Sequence, residues 1–206
     1  MRNKRGRSAL ASLLVATMMG LGWSTNWTQQ AQEIMAVLMP ATMNLVILVA
    51  TVDGKEISAE DLAVVQKAGT EVGGDLKVIQ SLIGAYESAD QKAKQGILNQ
   101  IQIAIQAAQE NLQGLTLGLH IKDEATQAKI TAIVGVLQAE VQSLAAILPA
   151  IQGQGTGARA QGVGERVRKP LSASAFVKSY NASMTEKTGR AELDRVSGGL
   201  QLHGTR

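Results

Sequence analysis

Residues 58–86, SAEDLAVVQKAGTEVGGDLKVIQSLIGAY, carry the repeat that decides the fold of this 206-residue chain. Apolar or small residues follow one another in alternating steps of three and four: Leu62, Val65, Gly69, Val72, Leu76, Ile79, Ile83 and Tyr86. An α-helix turns once in about 3.6 residues, so these positions share one face. Ser58, with Asp61 three residues later, is typical of an N-cap close to a capping box. We therefore predict a helix of about eight turns.

Two later segments repeat the pattern, and each is long enough for a helix. The first presents Leu98, Ile101, Ile105, Ala108, Leu112, Leu115 and Leu119. The second presents Ile130, Val134, Leu137, Val141, Leu144, Leu148 and Ile151, and we expect Asp123 to cap its start. Residues 101–105 and 115–121 also alternate with period two, which is a strand signal, and Gly114 and Gly118 weaken a helix. We predict helices, the first with an early end.

The segment 27–52 has the same rhythm but is apolar on its other positions as well. Its seam is Ile34, Leu38, Ala41, Leu45, Leu48 and Val52, and its outer positions include Val37, Met39, Val46, Ile47 and Val49. A helix that is apolar all round belongs in a core or in a membrane. Long helices joined by short turns pack antiparallel. We predict an all-α fold, an antiparallel and coiled-coil-like bundle of three to four long helices over residues 27–151, with heptad-type seams.

The first quarter of the chain is almost free of charge. Between Arg7 and Asp53 the only charged residue is Glu33, and apolar runs fill 8–23 and 34–52. The second run, as a helix, would reach roughly 28 Å, which is close to the thickness of a bilayer core. It can therefore be either a membrane span or the most buried helix of the bundle.

Residues 1–24 have the basic start and apolar run of a signal peptide. No Ala-x-Ala cleavage site follows near Trp23, so an uncleaved anchor and a plain buried or interfacial helix are the other interpretations. Tryptophan prefers the membrane–water boundary, whereas a hydrophobic staple is the alternative for Trp27. The candidate membrane-interface residues are Trp23, Trp27, Arg2, Lys4, Arg5 and Arg7.

The residue types that carry catalysis and ligand binding are scarce. The chain has no cysteine, only 2% aromatic residues and two histidines, His120 and His203. Metal sites need several ligands, and a single histidine at a helix end is typical of capping or packing. No phosphate loop, His-Glu-x-x-His pattern or Gly-x-Ser-x-Gly elbow occurs. We predict no catalytic, cofactor-binding or metal-binding residues and a protein that is not an enzyme.

Residues 152–206 differ in composition from the central part. They hold nine basic and four acidic residues, and glycines between 153 and 164 are typical of a flexible linker. We predict a flexible basic tail with a possible short helix at 171–184 and disorder after it, where Gly198 and Gly199 adjoin. The acidic residues offset part of any attraction to nucleic acid or acidic lipid, so we do not expect nucleic-acid binding.

These features predict a non-enzymatic helical bundle that is membrane-anchored or exported to the cell envelope and acts as a structural or interaction module. Partners would be the membrane and, through apolar helix faces, a second copy or another protein. The alternative is a membrane-active, pore-forming protein with 8–24 and 34–52 as a transmembrane hairpin. In its basic start and two apolar runs the chain resembles the phage holins, which form membrane lesions during lysis. That resemblance covers residues 1–52, and the long helical region after them departs from it.

Overall fold

The computed structural model describes residues 27–51, 58–118, 121–148 and 171–203. Of these residues 88% are helical and none is in a strand, which confirms the all-α prediction. The helices of this part are α1 (Trp27–Thr51), α2 (Ala59–Ser88), α3 (Gln91–Gly118), α4 (Glu124–Ile147), α5 (Ala173–Thr185) and α6 (Ala191–Gly199). The predicted signal or anchor, residues 1–24, lies outside the described residues.

Side chains at the helix starts hold the first turns in place, because the first backbone N–H groups of a helix lack partners within it. Ser58 Oγ accepts a hydrogen bond of 3.0 Å from the Asp61 backbone N–H. The Asp123 carboxylate accepts one of 2.9 Å from the Thr126 N–H. Both predicted caps are confirmed, and so is the helical interpretation up to Gly118.

Helices α1 and α2 run antiparallel, as their contacts at two distant levels show. At one level, Trp27 at the start of α1 meets Tyr86 near the end of α2, with ring centroids 4.8 Å apart. At the other, Val46 near the end of α1 packs on Gly69 in the first half of α2. The close backbone approach at this second level therefore depends on a glycine without a Cβ.

The other long helices also run antiparallel to their neighbours along the chain. Lys94 at the start of α3 lies over the ring of Tyr86, while Asn111 Nδ2 donates to Asp75 Oδ2 at 3.0 Å much further along both helices. Helix α4 contacts both α3 and α1, so the four long helices touch one another in a closed ring. This ring supports the bundle arrangement expected from the sequence.

Helix α1 is the most enclosed element of the described part. Twelve of its residues are buried, and it contacts α2, α4, α5 and α6. Of the outer positions that the sequence left without a partner, Val37 and Val49 are buried and Met39 and Val46 half-buried, while Ile47 stays exposed. The apolar surplus of this helix is therefore mostly covered by the chain itself.

Residues 171–203, which we call the C-terminal segment, provide part of that cover. Helix α5 lies where the short helix was expected at 171–184, and a second helix, α6, lies in the part of the tail that was expected to be disordered. Its buried apolar side chains are Phe176, Tyr180, Met184, Leu193 and Leu202. An amphipathic segment that buries such a set against α1 and α4 is held by packing. The glycine-rich residues 152–170 lie outside the described residues.

The contact between Gly69 and Val46 generates a stability prediction. A Cβ at Gly69 would overlap the Cγ2 methyl of Val46, whereas a Cβ at Gly73 would meet nothing within 4 Å. We expect Gly69→Ala to destabilise the fold by about 1–3 kcal/mol through overpacking. Gly73→Ala, the matched control in the same helix, should stabilise by about 0.5–1 kcal/mol. Urea unfolding of the full chain in mild detergent measures both changes.

A second substitution tests the physical cause. Adding Val46→Ala to Gly69→Ala removes the methyl that the new Cβ meets, so the double variant should recover part of the lost stability. If Gly69→Ala alone is as stable as Gly73→Ala, the helices do not approach each other at this residue.

Candidate functional site

The predicted membrane-interface residues fall into two groups. Five of them lie outside the described residues: Arg2, Lys4, Arg5, Arg7 and Trp23. The sixth, Trp27, is only 4% exposed and packs edge-to-face on Tyr86 at 74°. The structure thus places the Trp27 ring in the core at the first turn of α1, and not on the surface of the described part. Its Nε1 is buried without a hydrogen-bond partner.

The remaining titratable candidates from the sequence are dispersed. His203 is exposed at the end of the C-terminal segment, and His120 lies outside the described residues. Within the described ranges no three His, Cys, Asp or Glu side chains come together in a group that could hold a metal ion. Polar and charged side chains are instead concentrated where the C-terminal segment meets α4. We call this contact the polar seam, and its residues on the α4 side are Asp123, Lys129, Glu140 and Ser143.

Lys129 is the central cation of the polar seam. It is 4% exposed, its Nζ donates to the backbone carbonyl of Glu186 at 2.6 Å, and Asp194 Oδ1 lies 3.8 Å away. Burial lowers the pKa of Lys129, and the neighbouring carboxylate of Asp194 opposes that shift. A buried ammonium group is tolerated only with such partners. Lys129 thus links α4 both to the end of α5 and to α6.

Two carboxylates complete this end of the polar seam. The guanidinium of Arg190 donates to Asp123, the N-cap of α4, and this hydrogen bond is the main reason why the pKa of Asp123 falls to about 2. Asp194 accepts from the backbone N–H and the hydroxyl of Thr188, each at 2.9 Å, and its pKa is lowered mainly by the backbone bond. Charge-assisted bonds of this kind are stronger than neutral ones.

The other end of the polar seam is neutral. Ser143 Oγ accepts a hydrogen bond of 3.0 Å from the backbone N–H of Leu171. Lys129 and Ser143 are fourteen residues apart on α4, and their partners Leu171 and Glu186 are fifteen apart on the C-terminal segment. The two contacts therefore fix α5 antiparallel to α4 at both of its ends.

Further hydrogen bonds attach the C-terminal segment to α1. Asn44 Nδ2 donates to the Leu200 carbonyl at 2.9 Å, and the Tyr180 hydroxyl donates to the Ala41 carbonyl at 3.4 Å. Burial raises the pKa of Tyr180, so its hydroxyl stays a proton donor at physiological pH. These bonds place the segment across both α1 and α4.

Glu140 is the one buried carboxyl of the polar seam without a counter-charge. At about 3.6 residues per turn it lies within about 20° of Lys129 and about 60° of Ser143 around α4, on the side that the C-terminal segment covers. Its side chain is fully buried, and neither oxygen has a hydrogen-bond partner. Desolvation raises the pKa of Glu140 to about 8. The group is therefore a neutral acid at physiological pH.

The residues of the polar seam attach the C-terminal segment to α4. Its cations and carboxylates bind one another or the backbone, and Glu140 has no route to solvent. Sequence reasoning identified Asp123 as a cap but missed Lys129, Glu140 and Ser143. Lys129 and Glu140 belong by residue type to the polar positions of an amphipathic helix. Only their eleven-residue spacing, which puts them on one face, could have indicated a second covered side of α4.

Two helices are long and apolar enough to cross a membrane by length and composition, and they are Trp27–Thr51 and Glu124–Ile147. Both belong to the ring of long helices, and they are the long helices that the C-terminal segment covers. Core helices of soluble proteins have the same properties, so these two features do not separate a core role from a membrane role.

No protein-family model matches the chain, and comparisons with curated proteins and with solved structures find no match either.

Lys129 provides the first test of the polar seam. We expect Lys129→Met to cost about 1–3 kcal/mol, since the Glu186 carbonyl and Asp194 lose a buried partner. Hydrogen exchange followed by mass spectrometry should show faster exchange across 171–203 and little change in α2 and α3. Lys178→Met, on the exposed side of α5, is the matched control and should leave exchange unchanged. Uniform acceleration throughout the chain would contradict a local docking role.

Glu140 provides a pH test. Its folded pKa of about 8 lies above the unfolded value of 4.5, so the folded state holds a proton that the unfolded state releases. Its contribution to the free energy of unfolding is therefore complete below about pH 4.5 and falls by up to about 1.4 kcal/mol per pH unit towards pH 8. Glu140→Leu removes this loss, so the variant's advantage over the natural chain should grow with pH in urea unfolding.

The control for this test is Glu110→Leu, which replaces an exposed carboxyl of α3. Its effect on the free energy of unfolding should be small and should not grow between pH 4.5 and pH 8. A pH-independent effect of Glu140→Leu would mean that the carboxylate is ionised in the folded state.

Proposed function

We propose that the protein is a non-enzymatic helical interaction module that residues 1–24 hold at the membrane or direct to the cell envelope. One observation carries this proposal. Helix α1, the apolar run that is long enough to span a bilayer, has twelve residues buried against its own chain. Residues 8–23 are then the apolar run of the sequence that remains for targeting or anchoring, and they follow a basic start.

The contacts of α1 favour this proposal over the membrane-hairpin alternative. A hairpin of 8–24 and 34–52 would remove α1 from α2, α4, α5 and α6. It would also expose the apolar faces of those helices to water, at about 1.5–3 kcal/mol for each large side chain. The polar contacts Asn44–Leu200 and Tyr180–Ala41 would be broken as well. An anchor formed by residues 8–23 leaves all of these contacts in place.

Membrane fractionation tests the proposal. We expect the full chain to sediment with membranes and to resist carbonate extraction. Leu14→Arg with Met18→Arg should move it to the soluble fraction, because arginine in the middle of a span costs about 2.5–3.5 kcal/mol per residue. Ile103→Arg with Leu117→Arg, at exposed positions of α3, is the matched control and should stay with the membrane. A full chain that is soluble with residues 1–24 intact contradicts anchoring.

Two measurements separate the remaining arrangements. The mass of the mature N-terminus distinguishes a cleaved, exported protein from an anchored one. In the anchored case, Asn3→Cys and Ile103→Cys are labelled singly with a membrane-impermeant thiol reagent, which is selective because the natural chain has no cysteine. A single anchor puts the two positions on opposite sides of the membrane, whereas the hairpin puts them on the same side.

A further inference from the structure

One face of α1 remains uncovered, and it is apolar from Ala36 to Ala50, after a polar start at the exposed Gln29, Gln32 and Glu33. The exposed residues of this outer stripe follow the four-three rhythm of a helix face: Ala36, Pro40, Met43, Ile47 and Ala50. Met43 is 55% exposed and Ile47 45% exposed. No charged residue occurs between 34 and 52, and the exposed Glu33, one turn before Ala36, is the one charged neighbour of the outer stripe within its own helix.

The exposed apolar side chains of Val78 and Ile103 do not form such a stripe. Val78 on α2 stands beside exposed Lys77 and Ser81, and Ile103 on α3 stands between exposed Gln100 and Gln106. Single exposed apolar residues among polar ones are normal on protein surfaces. A continuous apolar face marks an interaction surface instead.

We infer that the outer stripe of α1 rests on the lipid surface, with α1 lying along the membrane next to the anchor. This inference rests on the proposed function. The apolar run ends at Trp23 and α1 begins at Trp27, so the connection reaches at most about 14 Å. The start of α1 therefore stays close to the lipid headgroups. A helix lying in the interface buries its apolar face about 5–10 Å deep.

The size of the outer stripe argues against a second copy as the occupant. A stable protein–protein interface involves about 20–30 residues on each side. The outer stripe offers five residues, of which Met43 and Ile47 are the large flexible or branched side chains and the two ends are alanines. Lipid needs no matching shape, and a helix tethered beside an anchor is held at a high effective concentration near it.

The chemistry of the outer stripe defines the lipid contact further. Interfacial helices that bind through charge carry Lys or Arg on their polar face. Helix α1 contains no basic residue, and its single charge is the acidic Glu33. The contact should therefore come from apolar burial alone, so zwitterionic vesicles suffice and added salt should not release it.

The cysteine-free chain allows a site-specific test. Met43→Cys and Ile47→Cys are labelled with an environment-sensitive dye in the full chain, and Val78→Cys and Ile103→Cys are the matched exposed controls. Each protein is reconstituted into phosphatidylcholine vesicles, with and without lipids that carry a quencher in the upper acyl chain. We expect blue-shifted, quenchable emission at 43 and 47 and water-like emission at 78 and 103, at low and at high salt.

Each other outcome overturns the inference in a recognisable way. Water-like emission at 43 and 47 on floated vesicles shows that the outer stripe does not touch lipid, while the anchor stands. A blue shift that grows with the protein-to-lipid ratio and resists the lipid quencher identifies a second copy as the occupant. A chain that fails to float with the vesicles overturns the anchor, and the inference fails with it.

Discussion

The need to cover α1 governs the rest of the structure. A helix with twelve buried residues around most of its circumference cannot be enclosed by one or two narrow seams. Helices α2 and α4 cover two sides, and α5 and α6 cover another. Helices α1 and α2 pack tightly, because a Cβ at Gly69 would overlap the side chain of Val46. Because aromatic residues are few, most of this packing uses aliphatic side chains.

Polar groups inside the fold fix the position of the C-terminal segment on α1 and α4. Apolar contacts between α4 and α5 alone would allow the two helices to slide, since apolar packing is not directional. Lys129 and Ser143 prevent this because each binds a backbone group of the C-terminal segment, one at either end of α5. Glu140 lies between them in sequence and contributes no bond. It weakens the fold towards alkaline pH, and the structure gives no physical reason for its presence.

The sequence predicted those features that depend on neighbours along the chain. The described seam residues of α2, α3 and α4 are buried or half-buried as the three-four spacing requires, while Leu119 and Ile151 lie outside the described residues. The caps at Ser58 and Asp123 follow from residue type and position. Helix α6 and the packing of the C-terminal segment on α1 and α4 were missed, because the pattern there is short and the partners are remote. Tyr180, for example, reaches Ala41, 139 residues away. Trp27 likewise packs on Tyr86, which lies 59 residues later in the chain, so the residues around Trp27 could not indicate this partner.

The two apolar runs near the start of the chain are similar in composition, and the packing of α1 against its own chain is what distinguishes them. Helix α1 could not leave the ring of helices without uncovering the apolar faces of α2 and α4, the two long helices that it contacts. If α1 left the ring, these apolar faces would be exposed to water, and the hydrogen bonds to Leu200 and Tyr180 would be broken. Contact of α1 with lipid would have to offset both losses. Within α1, the outer stripe can reach lipid at no such cost, because it is already exposed. An anchor in residues 8–23 and a surface contact by α1 are therefore compatible with one folded body, whereas insertion of α1 is not.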